Sequence, residues 1–199
     1  MLTSATTGLL TGLGLIVAIG AQNAYVLRQG LTRRHVGAVV AVCAVSDVVL
    51  IAAGVAGVGS AVEAVPGLIT LVRCGGVAFL TWYGVTALRR ARHATSLEAA
   101  TGSGATLGRA VRTALALTWL NPHVYLDTVL LLGSVGATTD RPAWFAVGAG
   151  VASVVWFTAL GYGARLLARP LARPGAWRAL DVLVGLTMLA IAATLALGA

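Results

Sequence analysis

The sequence has few charged residues, no lysine and only two cysteines. Charged residues make up 10% of its 199 positions, whereas a soluble domain carries about 25%. With 58% hydrophobic residues, the chain cannot cover its surface with polar groups, which excludes an ordinary water-soluble domain. All 14 basic residues are arginines in short clusters without interleaved aromatic residues, which argues against nucleic-acid binding. Cys43 and Cys74 stand singly in apolar runs and predict neither a disulfide nor a metal site.

The sequence also lacks the motifs of common catalytic and nucleotide-binding sites. It contains no His-Glu-x-x-His, no P-loop and no Gly-x-Gly-x-x-Gly, so we expect no enzyme, no cofactor and no ATP-driven step in this chain. A membrane-embedded hydrolase with Asp47 and Asp127 as its catalytic pair is an alternative that only these two acids favour.

Long uncharged runs predict membrane spans, because a bilayer core of about 30 Å needs about 20 apolar residues in a helix. We therefore expect an all-α polytopic membrane protein with six transmembrane helices. A small, polar segment at 93–108 is the predicted cytoplasmic linker between residues 1–92 and residues 109–199. Three helices on each side make the second half enter the membrane upside down, which predicts two inverted three-helix repeats. The predicted spans are about 6–28, 36–59, 67–88, 113–136, 143–165 and 178–198.

The arginine clusters predict an orientation. They follow spans one, three and five, whereas the alternate connections hold only Glu63 or the Asp140–Arg141 pair. Since basic loops stay in the cytoplasm, we expect a multi-pass membrane protein with both termini outside.

Two acids lie at membrane depth, Asp47 in the second span and Asp127 in the fourth. A charged side chain there costs at least about 2.5–3.5 kcal/mol, so it normally faces a partner or a wet cavity. Each acid is therefore either a structural hydrogen-bonding group or a site that binds a cation and carries a proton.

Each half also has a polar break in its first span. Pro122 has no amide hydrogen, so the carbonyl of Thr118 should lose its helical partner. A broken helix exposes dipole ends that can hold a carboxylate and an ammonium group. A plain kink and polar contacts between helices are the structural alternatives. The helix-breaking residues are Gly20 in one half and Pro122 in the other. The polar residues beside them are Gln22, Asn23 and Tyr25 in the first half and Asn121, His123 and Tyr125 in the second.

These segments resemble the LysE family of basic amino-acid exporters over nearly the whole chain. The resemblance implies export of L-arginine, L-lysine or both across the bacterial cytoplasmic (inner) membrane, driven by the proton motive force. In one departure, Ala21 replaces the usual proline, and alanine keeps its amide hydrogen, so the sequence leaves open whether span one is fully broken. The matching stretches are Gly20–Gly30, Cys43–Leu50, Gly75–Gly84, Thr118–Thr128 and the run from Arg169 to Arg178.

From this resemblance we predict the roles of the polar residues. Asp47 would hold the cation and the proton, and Asp127 would assist. The substrate's ammonium and carboxylate groups would bind to Gln22, Asn23, Asn121 and the Thr118 carbonyl, and Tyr25 or Tyr125 could stack on a guanidinium. Protons, a basic amino acid and membrane lipid are the expected partners, and self-association is left open. Export of neutral amino acids or of a divalent metal by the same scaffold is the alternative.

Overall fold

The computed structural model describes residues 1–17, 20–58, 66–93, 106–167 and 174–197, and all regular structure in these ranges is helical. This suits an apolar chain, because in lipid a helix satisfies its backbone polar groups within one segment. The elements are α1 (Leu2–Ile16), α2 (Ala21–Thr32), α3 (Val36–Ala53) with a π-helical turn (Gly54–Val58), α4 (Pro66–His93), α5 (Leu107–Trp119), α6 (Pro122–Tyr125) with a π-helical turn (Leu126–Leu131), α7 (Leu132–Ala137), α8 (Pro142–Gly163) with a 3₁₀ turn (Ala164–Leu167) and α9 (Pro174–Leu197).

The all-helical membrane architecture expected from the sequence is confirmed. Within the described residues, Val36–Gly57 and Pro142–Gly163 are each long and apolar enough to cross a bilayer, and the bent pair α1–α2 would make a third span. Six crossings and the inverted repeat stay predictions. Most of the predicted linker, residues 94–105, lies outside the described residues.

Helices α1 and α8 pack closely through small residues. Ser4, Gly8 and Gly12 form the buried face of α1. A Cβ at Gly8 would overlap the Phe145 carbonyl, and a Cβ at Gly148 would overlap backbone on α1. Such small residues let two backbones approach and gain dispersion energy where lipid offers no hydrophobic driving force.

Helix α3 lies between α8 and α5, and α4 packs along α9. The outward faces of the bundle carry exposed aliphatic side chains, among them Val45 and Val49 on α3 and Val151 and Val155 on α8. A surface of this kind would be unfavourable in water, and it fits contact with acyl chains.

Four arginine-bearing helix ends meet at one end of the bundle. The Tyr25 hydroxyl of α2 donates to the Ala110 carbonyl at the start of α5 over 3.3 Å. At the start of α9, the Arg178 Nε donates to the Ala91 carbonyl near the end of α4 over 3.2 Å. We call this region the arginine end; its arginines are Arg28, Arg33, Arg34, Arg89, Arg92, Arg109, Arg112 and Arg178.

Met1 and Leu197, the first and last described residues, lie toward the opposite end. Helix α1 packs on the first half of α8, near Phe145 and Ala149, whereas Gly30 of α2 contacts Gly161 at the last turn of α8. Helix α9 begins at the arginine end and runs away from it to Leu197.

Candidate functional site

The first span is broken in spite of Ala21. Helix α1 ends at Ile16, α2 begins at Ala21, and their axes differ by 82°. Gly20 is the residue before α2 and has extended backbone angles (φ −103°, ψ 179°). The proline ring is therefore not required for the break, a question that the sequence left open.

Asn23 stabilises this break. Its Nδ2 donates to the Ile16 carbonyl over 2.7 Å, which satisfies one of the carbonyls exposed at the end of α1. Its Oδ1 accepts a hydrogen bond from the Trp156 Nε1 over 3.2 Å. Asn23 lines the cavity described below, and these two contacts show that it also holds helices together.

The second break has a similar construction. The Tyr125 hydroxyl donates to the Trp119 carbonyl at the end of α5 over 2.9 Å. The Asn121 Oδ1 accepts from the backbone amide of His123 over 3.2 Å, as in an N-cap. Pro122 gives the Thr118 carbonyl no helical bond, and the backbone amide of Asn121 donates to this carbonyl instead over 3.4 Å.

Each broken segment is also tied to the long central helix of the other half by an indole. Trp156 of α8 donates to Asn23 after the first break. Trp119, just before the second break, donates its Nε1 to the Ser46 hydroxyl of α3 over 3.0 Å. Both indoles belong to the second half of the chain and both acceptors to the first half, so the two bonds join the halves at each break.

A cavity of about 260 Å³ lies between the two breaks, close to the lower limit of about 300 Å³ for ordinary small-ligand pockets. Both sequence-predicted carboxylates and three of the predicted amides line it. The lining residues are Leu15, Ile16, Gly20, Ala21, Gln22, Asn23, Asp47, Asn121, His123, Val124, Asp127, Thr128, Leu132, Phe157 and Ile191.

Asp47 lies in the cavity wall with only 3% of its surface exposed. The Ser153 hydroxyl of α8 donates to its Oδ2 over 2.9 Å. Its Oδ1 has no hydrogen-bond partner among the described residues. Gln22 lies beside the same carboxylate, and its Nε2 is likewise without a hydrogen bond to any described residue. The cavity wall therefore holds a buried acceptor beside a buried donor.

Asp127 is half-buried and lines the same cavity, in the π-helical turn Leu126–Leu131. Wide turns of this kind are frequent at functional sites, since the extra residue in the turn re-aims side chains. His123 lies one helical turn before Asp127 and is close enough to interact with its carboxylate. Within the ranges given above, no three histidine, cysteine or acidic side chains are grouped to hold a metal ion.

The two tyrosines lie outside the cavity lining. Tyr25 is buried at the arginine end, with its ring edge-to-face against Tyr83 at a centroid distance of 6.2 Å. Tyr125 uses its hydroxyl to cap α5. Both therefore contact the protein rather than the cavity, and guanidinium stacking on either ring stays a prediction.

Sequence reasoning missed a third buried acid, Asp181 of α9, which is 4% exposed. Its Oδ1 forms an ion pair with Arg28 of α2 over 3.0 Å. Asp181 directly precedes the uncharged run that begins at Val182, so the sequence does not mark it as an acid at membrane depth. Its position three residues after Arg178, at the edge of an apolar run, is the signal that could have identified it. Ser153 was also missed, because one serine in an apolar helix has no distinctive pattern.

Comparison with known proteins identifies the family. A model described as "LysE type translocator" matches residues 13–199. The chain belongs to the LysE family. An arginine exporter protein ArgO from Yersinia enterocolitica is 47% identical over 186 residues, which cover 92% of this chain and 90% of the relative. ArgO from Enterobacter sp. is 46% identical over 193 residues, or 95% and 91% of the two chains. A Mycobacterium bovis protein with the provisional name of amino-acid transporter is 46% identical over 179 residues, 89% of each chain.

No solved structure matches the chain. The family model and the arginine exporter relatives confirm, at the level of the family, the resemblance noted in the sequence. As a LysE-type translocator with apolar spanning helices, the chain is a multi-pass protein of the inner membrane and a transporter rather than an enzyme.

Proposed function

We propose that this LysE-family protein exports basic amino acids, L-arginine with or without L-lysine, across the bacterial cytoplasmic membrane in exchange for protons. Relatives named arginine exporters match it over nine-tenths of both chains. The observation that carries the proposal is Asp47: a buried carboxylate, on the wall of a cavity inside a membrane protein, with one oxygen that no described residue occupies.

The cavity has groups for each part of a basic amino acid. The carboxylates of Asp47 and Asp127 suit a guanidinium or ammonium group at the end of the side chain. The first amides of α2, near Gln22, lie at the positive end of a helix dipole and suit the substrate's carboxylate. Phe157 and Ile191 give apolar lining for the methylene groups.

A single buried carboxylate explains exchange. Ser153 holds one oxygen of Asp47 in place, which leaves the other to a proton or to the substrate's cation. A buried ionised carboxylate without either is strongly disfavoured. Asp47 therefore passes between two neutralised states, and the cavity changes sides only while Asp47 is in one or the other of them, never while it is ionised and unpaired. Arginine and a proton consequently move in opposite directions.

Exchange also removes an electrical penalty. Moving one positive charge out of a negative interior costs about 2.3 kcal/mol per 100 mV of membrane potential. One proton entering for each arginine leaving makes the cycle electroneutral, so the pH gradient drives export.

The repeat and the orientation belong to the same proposal. Two bonds support an inverted repeat, from Trp156 to Asn23 and from Trp119 to Ser46, because each links the broken helix of one half to the central helix of the other. The clustering of arginines at one end supports a cytoplasmic location for that end, with both termini outside.

The test is efflux of labelled arginine from proteoliposomes under an imposed pH gradient. We expect an acidic external medium to accelerate efflux by the wild-type protein, and Asp47→Asn to abolish the acceleration. Asp140→Asn is the matched control, because Asp140 is an exposed acid far from the cavity. Unchanged pH-dependent efflux by Asp47→Asn would refute the proposal, and competition by threonine or cadmium but not by lysine would favour the alternative cargoes.

A further inference from the structure

An ion pair outside the cavity joins two helices from opposite halves of the chain. Arg28 of α2 and Asp181 of α9 approach to 3.0 Å, with 15% and 6% of their side chains exposed. Neither residue lines the cavity.

The pair lies at the arginine end, on the side of the bundle away from the cavity. On α2, Arg28 is six residues beyond the cavity residue Gln22, or about 9 Å along the axis at 1.5 Å per residue. On α9, Asp181 comes ten residues before the cavity residue Ile191, or about 15 Å. The two helices run in opposite directions, so both separations point toward the same end of the bundle.

Tyr25 comes between the cavity residue Gln22 and Arg28 along α2. It is 5% exposed, its hydroxyl donates to the Ala110 carbonyl of α5, and its ring packs edge-to-face on Tyr83 of α4. Through Tyr25 and Arg28, the short helix α2 thus contacts α5, α4 and α9. A path from the cavity to the arginine end would have to pass these contacts.

Stability alone explains this ion pair poorly. Buried pairs give little or no net stability compared with apolar residues of similar size, yet separating the charges in a dry interior is strongly unfavourable. The two charges can therefore part only when water reaches them. A contact with these properties stays closed while the region is dry and opens together with an aqueous path.

We propose that Arg28 and Asp181 form a latch that closes the cavity toward the arginine end. When the latch opens, α2 moves away from α9 and water connects the cavity to that side. The proposal rests on the transport function proposed above, since an exporter must open its cavity to each side in turn.

The test measures access to the cavity rather than transport. A reporter cysteine replaces Ile191 in a Cys43→Ala, Cys74→Ala background, and a membrane-impermeant thiol reagent is applied to either face of oriented vesicles. Neutralising both charges (Arg28→Gln with Asp181→Asn) should raise the labelling rate from the arginine side by about tenfold or more, the shift that about 1.4 kcal/mol of lost closing free energy produces. Labelling from the other side should not rise.

Two further variants make the result specific. The charge-swapped pair (Arg28→Asp with Asp181→Arg) should return labelling to within about threefold of the reference protein, because the ion pair is restored. Arg89→Gln removes an exposed arginine from the same end and should change nothing.

An unchanged labelling rate in the neutral pair would overturn the proposal, and so would an equal rise from both sides, which indicates general loosening. If the neutral pair does not accumulate as folded protein, Asp181→Asn alone decides, because it keeps the shape of the side chain and removes the charge that holds Arg28. A rise from the arginine side supports the latch, and no rise refutes it. Labelling needs no substrate. If labelling depends on the latch as expected but the protein does not transport arginine, only the proposed function is refuted.

Discussion

Replacing Asp47 with asparagine removes the negative charge of the cavity wall and little else. The two side chains have the same shape, and the asparagine oxygen can still accept the hydrogen bond that Ser153 donates over 2.9 Å. We therefore expect the variant to fold and to keep its thermal stability. Any loss of arginine binding then reports the charge itself.

The magnitude follows from the burial of Asp47. Removing one partner of a buried ion pair costs about 3–5 kcal/mol, because the other charge stays desolvated. This corresponds to a Kd for arginine that is weaker by roughly 150- to 5,000-fold. Since Asp127 lines the same cavity and supplies part of the counter-charge, we expect a value near the lower limit.

Equilibrium binding of labelled arginine to the purified protein in detergent measures this effect without the complications of flux. Asp140→Asn, at an exposed position, should bind as the wild-type protein does. A Kd for Asp47→Asn within about threefold of wild type, a difference below 1 kcal/mol, would refute the assignment of the cation to Asp47.

Three other substitutions, one of them with a matched control, test the site and the helix packing that supports it. Ser153→Ala removes the hydrogen bond that holds one oxygen of the Asp47 carboxylate in place, so arginine should bind more weakly in the same assay, by no more than the roughly 1.5–3 kcal/mol that a hydrogen bond to a charged group is worth. Gly148→Val places a side chain against the backbone of α1 and should lower stability by at least about 1–3 kcal/mol. Gly163→Ala, where a Cβ meets no atom within 4 Å, should unfold at the wild-type temperature. Tyr125→Phe removes the hydroxyl that caps α5 and should cost about 1 kcal/mol in thermal unfolding, while unchanged stability would show that water replaces it.

Composition and charge were sufficient to predict a helical membrane protein and its polar site. An acid in an apolar span must find a partner or water, and for this reason Asp47 and Asp127 could be identified without coordinates. Pro122 breaks its helix for a local reason, the missing amide hydrogen. Local rules of this kind carry over directly from sequence to structure.

The failures concern contacts between distant segments. Asn23 caps α1 and Tyr125 caps α5 because the bends bring them back to these carbonyls, and the bend angles cannot be read from residue types. Ser153 and Asp181 find their partners on other helices. Their roles depend on which helix faces are neighbours, and that is decided by the packing of small residues such as those between α1 and α8.

The most direct test of the account is to count the protons released when arginine binds to the purified protein in a weakly buffered solution. If a proton and arginine compete for Asp47, wild-type protein should release protons on binding arginine, in an amount that varies with pH, and Asp47→Asn should release none at saturating arginine. Binding by wild-type protein without proton release at any pH, or equal release by both proteins, would contradict the claim that one carboxylate serves both ions.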